Sequence, residues 1–322
     1  MRRRDVLIGA GCISAATLIA PDAGARLRSG PAMSGYTSSI RRHAVTPDGK
    51  HVISGTGANA VAVWEIATGS GVRSFNGRHE DAINTVALSA DGRRAISASK
   101  DRTLKIWDVA TGDELHTLTG HTDWARAGVL SPDGRIAVSS SPDKTTVVWN
   151  VETGERVTDI SANKDEIWGL SYSADGRYLA TSGYDNEVRI WDTQSWKMVR
   201  AHKGHEAGVL HVQFMARPRF VVSAGMDSTV RLWDNLAGIE VHAFKGHKEP
   251  VSALAVAPDE SAIYTGSVDE TLRGWSVETG EQLFSESLKE SALAMAITPD
   301  GRQLVVGTST SRMTVWEIGA KE

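Results

Sequence analysis

Tryptophan recurs along this chain at a nearly constant spacing. Trp64, Trp107, Trp149, Trp191, Trp233, Trp275 and Trp316 are separated by 43, 42, 42, 42, 42 and 41 residues. A fixed period of this length marks one supersecondary unit repeated in tandem, because a single unit cannot bury its apolar face without neighbours. Each Trp closes a run of alternating apolar and polar residues: VAVWEI, LKIWDV, TVVWNV, VRIWDT, VRLWDN, LRGWSV and MTVWEI. About 16 residues upstream stand turns such as Pro47-Asp48-Gly49, Pro132-Asp133-Gly134 and Pro299-Asp300-Gly301, and a second turn follows the Trp at Thr111-Gly112, Thr153-Gly154 and Thr279-Gly280. The segments between them alternate with period two over five to seven residues, the pattern of half-buried strands. Seven units of four short antiparallel strands follow.

Further residues recur in register with the Trp. A Gly-His pair stands 28 residues before it in three units (Gly120-His121, Gly204-His205, Gly246-His247), and His79 holds the same place after Arg78. An Asp lies six residues before it at Asp101, Asp143, Asp185, Asp227 and Asp269, and ten before it is Ser54, Ser97, Ser139, Thr181, Ser223 or Thr265. With the dipeptides Trp107-Asp108, Trp191-Asp192 and Trp233-Asp234, these positions make residues 36–318 resemble the WD-repeat β-propeller family. The resemblance implies an all-β fold, a seven-bladed propeller whose radial closure leaves only short edges. It also implies that the His, Ser/Thr, Trp and Asp of a blade form a buried hydrogen-bonded chain. His79, His121, His205 and His247, with the five Asp, are then structural rather than metal-binding or acid–base residues. His202 and His205, three apart, are not expected to bind a metal, and no cofactor is expected. Three units depart from the pattern: Tyr36, Asn163 and Leu288 replace the His, and Ala58 and Thr310 replace the Asp. The last unit ends soon after its Trp, so register predicts that residues 26–33 complete it, although Gly30-Pro31 is poor strand sequence.

Positions that vary among units carry the functional expectation. The residue 24 before each Trp is apolar throughout (Ile40, Ile83, Ala125, Ile167, Val209, Val251, Ala292) and reads as the buried start of the innermost strand. Its neighbours alternate away from it: Trp124 and Arg126 in the third unit, Glu166 and Trp168 in the fourth, and Arg41 in the first. The residue before the repeat Asp varies too, as Lys100, Pro142, Tyr184, Met226 and Val268. The resemblance places these at the rim of the central channel on the partner-binding face. Lys100, Trp124, Arg126, Glu166, Trp168, Tyr184 and Met226 are therefore the predicted binding residues, rich in the aromatic, Met and Arg side chains that dominate interfaces. Ordinary packing of Trp124 and Trp168 at the channel mouth is the bland alternative. Trp196 replaces a turn glycine on the opposite face.

The N-terminus reads as an address. Residues 1–25, MRRRDVLIGAGCISAATLIAPDAGA, place three arginines before an apolar run from Val6 to Ala20 and end on Ala23-Gly24-Ala25, the layout of an export signal. Arg3-Arg4-Asp5-Val6-Leu7 resembles a bacterial twin-arginine motif, though Val6 and Ile8 depart from it. A general Sec signal or an uncleaved anchor remains open. Gly9 argues against a lipoprotein reading of Cys12. Cleavage would remove three Arg with Asp5 and Asp22, taking the net charge from -4 to -5, and would take away the single cysteine. A cysteine-free chain suits an oxidising compartment such as the periplasm. With 35 Lys+Arg against 39 Asp+Glu there is no basic footprint for nucleic acid.

The mature chain shows no G-x-S-x-G elbow, P-loop, H-E-x-x-H or cysteine nucleophile. The expectation is a non-enzymatic, monomeric scaffold, exported and binding a protein or peptide at the rim. A small-molecule or glycan binder is the alternative, and a cryptic hydrolase or lyase assembled across blades is the third reading.

Overall fold

The computed structural model describes residues 27–33, 42–160 and 165–319. The predicted export segment 1–25, and Tyr36, Ile40, Arg41 and Asn163, lie outside them. The described residues form 28 strands in seven four-stranded antiparallel sheets, with no helix among them. Six sheets are continuous in sequence, for example Ile83–Leu88, Arg94–Ser99, Leu104–Asp108 and Glu114–Leu118 in the second blade. The sheets stand in a ring, and their first strands run side by side around the centre: Arg42 and Thr85, in neighbouring blades, form a parallel bridge.

The core lies between blades, so each unit's apolar face is buried by its neighbours. One apolar cluster joins Val305, Met313 and Val315 of the seventh blade to Val52, Val63 and Trp64 of the first and to Ile83, Val86 and Trp107 of the second. The repeat Trp residues sit in these seams, with Trp107 and Trp149 fully buried. Burying an indole removes roughly 150–250 Å² from water. At about 25 cal/mol/Å² that is an upper bound of about 4–6 kcal/mol each.

The seventh sheet runs Arg28–Met33, Met313–Glu317, Gln303–Thr308, Ala292–Ile297, so its outermost strand comes from the other end of the chain. Arg28 pairs with Glu317 and Met33 with Met313, and the register shifts between Ser29 and Ala32. That irregularity spans Gly30-Pro31. The missing proline N–H therefore falls where the ladder is already interrupted, on a strand with one free edge.

Two local devices repeat around the ring. After most repeat Trp residues the chain turns through a residue of positive φ: Gly69, Gly112, Gly154, Gly238 and Gly280, at +71 to +79°. In the fourth blade Trp196 takes that conformation at φ +53°, donating its N–H to Asp192 as the glycines do to their counterparts. Its indole packs on the cluster containing Trp191, which offsets a backbone strain of about 1–2 kcal/mol. The second device is a β-bulge at the start of the innermost strand. Register shifts fall between Ile83 and Thr85, Ile167 and Gly169, Val209 and His211, Val251 and Ala253, and Ala292 and Ala294. The extra residue is released from the strand's alternation and can be re-aimed.

Candidate functional site at the channel rim

The rim rests on a polar scaffold that repeats in four blades. In the second, His79 Nδ1 lies 2.8 Å from an Asp101 oxygen and its Nε2 lies 2.7 Å from Ser97 Oγ, which accepts the Trp107 Nε1–H at 2.8 Å. The third blade repeats this with His121, Asp143, Ser139 and Trp149, the fifth with His205, Asp227, Ser223 and Trp233, and the sixth with His247, Asp269, Thr265 and Trp275. One proton arrangement satisfies every member. The indole donates to the hydroxyl, the hydroxyl donates to His Nε2, and His Nδ1–H donates to the carboxylate.

Burial alone would raise the Asp101 pKa, but hydrogen bonds from His79 and Thr103 outweigh it and hold the carboxyl well below the usual range. Asp227 and Asp143 are depressed in the same way, and Asp269 is pushed down to about 2. Desolvation lowers the pKa of His121 and His247, keeping them neutral. Each Asp also accepts a backbone N–H from the residue after its His, as Asp101 does from Glu80 and Asp143 from Thr122. The network thereby fixes the loop that leads into each innermost strand.

The fourth blade differs. Trp191 still donates to Thr181, but Asp185 pairs with Arg189 at 2.7 Å, and position 163 lies outside the described residues. Asp185 is thus held by an arginine of its own blade. His202, on the outer strand Lys197–Lys203, stacks on Trp233 and bonds Asn235 through Nε2.

The predicted binding residues fall into two groups. Arg126 lies over the Trp168 ring, 3.5 Å from its centroid, and Trp168 meets Tyr184 edge-on at 5.0 Å. Trp168 Nε1 donates to Glu166 Oε2 at 3.2 Å. Desolvation, then the charge of Glu166, raise the Tyr184 pKa. Gly208 completes this group: a Cβ there would come 2.5 Å from the Tyr184 ring and 3.3 Å from Met226 Sδ. The second group is Lys100 over the Trp124 ring at 4.8 Å.

Exposure sorts these residues by role. Trp124 is 43% exposed and Met226 38%, whereas Arg126 is only 8% exposed. Arg126 is therefore held against the Trp168 ring rather than extended into solvent. Val268, 40% exposed, extends the apolar surface past Met226 by one blade. Its position before the repeat Asp is the signal that finds it.

The bulge explains how Trp168 reaches the rim. The equivalent extra residues Asn84 and Ser252 turn to the neighbouring blade, bonding the carbonyls of Ala125 (2.9 Å) and Ala292. Trp168, too large for that role, projects instead between Arg126 and Tyr184. Strand alternation singles out Trp168 in the sequence, but the bulge is seen only in the register shift.

Compared with known families, the chain matches WD40, described as WD domain, G-beta repeat, over residues 69–108, 112–150, 154–192, 196–234 and 238–276, more than half its length. The chain belongs to the WD-repeat family. No curated protein matches it significantly. WD-repeat propellers commonly serve as protein-interaction scaffolds and are typically non-catalytic. The first and seventh blades of this WD-repeat protein lie largely outside the matched segments, and both lack the repeat Asp. In the seventh, Thr310 donates instead to Glu290 at 2.6 Å, and Trp316 donates to Thr314 at 2.9 Å. Among the described residues there is no group of three His, Cys, Asp or Glu able to hold a metal ion. Among them, too, no helix is long and apolar enough to cross a membrane.

Proposed function

We propose that this WD-repeat protein is an exported, non-enzymatic scaffold that binds a protein or peptide at the rim sector spanning its third to sixth blades. The observation that carries the reading is an exposed Trp124 and Met226 beside an Arg126–Trp168–Tyr184 stack. Packing within a blade requires none of these, and their chemistry is that of interface anchors. Export rests on residues 1–25, where the arginines, the apolar run and the single cysteine are gathered.

The test uses tagged chain lacking residues 1–25, captured against cell-envelope extract beside Trp124→Ala, followed by calorimetry with the recovered protein. Loss of the Trp124 ring is expected to weaken binding by about 2 kcal/mol. Thermal stability should hold, because the ring is largely in solvent. Trp168→Ala should also weaken binding but lower stability, since it empties the space between Arg126 and Tyr184. Equal affinity of Trp124→Ala and wild type would refute the assignment.

A further inference from the structure

The far end of the central channel holds a cavity away from the rim residues. Innermost strands start at the rim and finish at turns holding Pro47, Ser89-Ala90 and Pro299, so these turns ring the opposite mouth. A cavity of about 550 Å³ opens there. Its lining includes the aliphatic residues Val45, Leu88, Met295 and Ile297, with Ser89, His211 and Gln213 among them. At its inner end lies Arg42, from the first blade. Its guanidinium reaches across the channel to the carbonyl oxygens of Leu170 at 2.7 Å and Val212 at 3.2 Å, in the fourth and fifth blades.

The charge balance is unusual. Among the described residues, no aspartate, glutamate, lysine or second arginine lines the cavity. Arg42 thus brings one positive charge to the cavity, where the neutral carbonyls of Leu170 and Val212 receive it. Desolvation pushes its pKa down to about 10, so it stays charged at neutral pH, and burial pushes His43 down to about 4, so that neighbour adds no charge. A part-buried cation with no anion among its described neighbours is costly, and a carboxylate is its best partner because guanidinium presents paired donors to it. Two of the five N–H donors of Arg42 are engaged by the carbonyls, leaving donors for a further acceptor.

We infer that this lower half of the channel binds a small organic monocarboxylate, its carboxylate on Arg42 and its apolar body along the aliphatic walls. One positive charge fits one negative charge, and the walls disfavour a strongly hydrated inorganic anion. The volume lies within the range of small-molecule sites. The inference is independent of the rim reading.

Hexanoate is the probe, with hexanamide as its neutral analogue and inorganic phosphate as the anion without an apolar body. Calorimetry and thermal shift are run on the full chain, on Arg42→Met, on Ala87→Leu, which narrows the cavity without touching Arg42, and on Trp124→Ala. Hexanoate should bind the wild type and raise its melting temperature. Hexanamide and phosphate should bind at least about tenfold more weakly, the loss expected for a charge-assisted hydrogen bond. Both channel variants should lose at least as much, and Trp124→Ala nothing. If Arg42→Met does not fold, Ala87→Leu decides the matter. Absence of hexanoate binding, equal binding of hexanamide or phosphate, or undiminished binding by Ala87→Leu would each overturn the inference.

Discussion

Removing a single hydroxyl from the fifth blade tests whether the repeated polar chain stabilises the ring. Ser223 is fully buried, accepts the Trp233 Nε1–H at 2.8 Å and lies 2.7 Å from His205 Nε2. In Ser223→Ala the indole N–H and the imidazole nitrogen both lose their partner where water does not reach. Each such loss costs about 1–3 kcal/mol, so the substitution should destabilise by roughly 3 kcal/mol. His205 cannot recover by changing tautomer, because its Nδ1–H is committed to Asp227 at 2.9 Å.

Thr314→Val is the matched control. It removes the acceptor of Trp316 Nε1, but that indole is only half-buried and water can replace the hydroxyl. Its cost should stay below about 1 kcal/mol. Equilibrium urea unfolding, followed by tryptophan fluorescence, gives both values from the midpoint at unchanged slope. A third variant, Trp233→Phe, removes the donor while keeping an aromatic ring. The double variant with Ser223→Ala should then cost about 1 kcal/mol less than the sum of the two singles. If Ser223→Ala lay within about 0.5 kcal/mol of wild type, or matched Thr314→Val, the hydrogen-bonded chain would not be what holds the blades.

Two further outcomes follow from the same residues. The carboxyls of Asp101, Asp143, Asp227 and Asp269 titrate lower in the folded chain than their unfolded value of about 4, and His121 and His247 lower than about 6.5. In both cases the unfolded chain takes up protons first, so stability falls as pH drops, beginning below about 6.5 for the histidines and steepening through 4 toward 2 for the aspartates. Urea midpoints at pH 7, 5.5 and 4 should decline in that order, and a midpoint constant across this range would contradict the assigned protonation. For export, Arg3→Lys/Arg4→Lys should retain the full-length protein in the cytoplasm on cell fractionation. Continued export of that variant would point to the Sec route.

The architecture was legible because a propeller repeats its constraints. A Trp recurs in every blade, and a buried Trp, its hydroxyl acceptor and a His–Asp pair recur together in four, so seven tryptophans at one spacing gave seven blades. The four complete networks could be written down residue by residue for the same reason. Asp185 shows the limit of that logic. It keeps the repeat position but is satisfied by Arg189, a residue that register does not mark. Arg126 shows another limit: spacing singled it out, yet only the structure shows it packed on the Trp168 ring.

What sequence concealed is tied to the bulge and the channel. A strand's alternation dictates residue type because one face is buried, and a bulged residue is released from that requirement. The position occupied by Asn84, Trp168, Leu210, Ser252 and Leu293 is therefore where blades are free to differ without loss of packing. Asn84 and Ser252 use that freedom to tie neighbouring blades together, and Trp168 uses it to present a ring. Arg42 was hidden for a different reason. Its partners, Leu170 and Val212, are 128 and 170 residues away and offer only backbone carbonyls, so no side-chain pattern announces the contact. Individuality in a ring of similar blades thus collects along its axis, where the bulged residues and the cross-channel arginine make contacts that the repeat does not dictate.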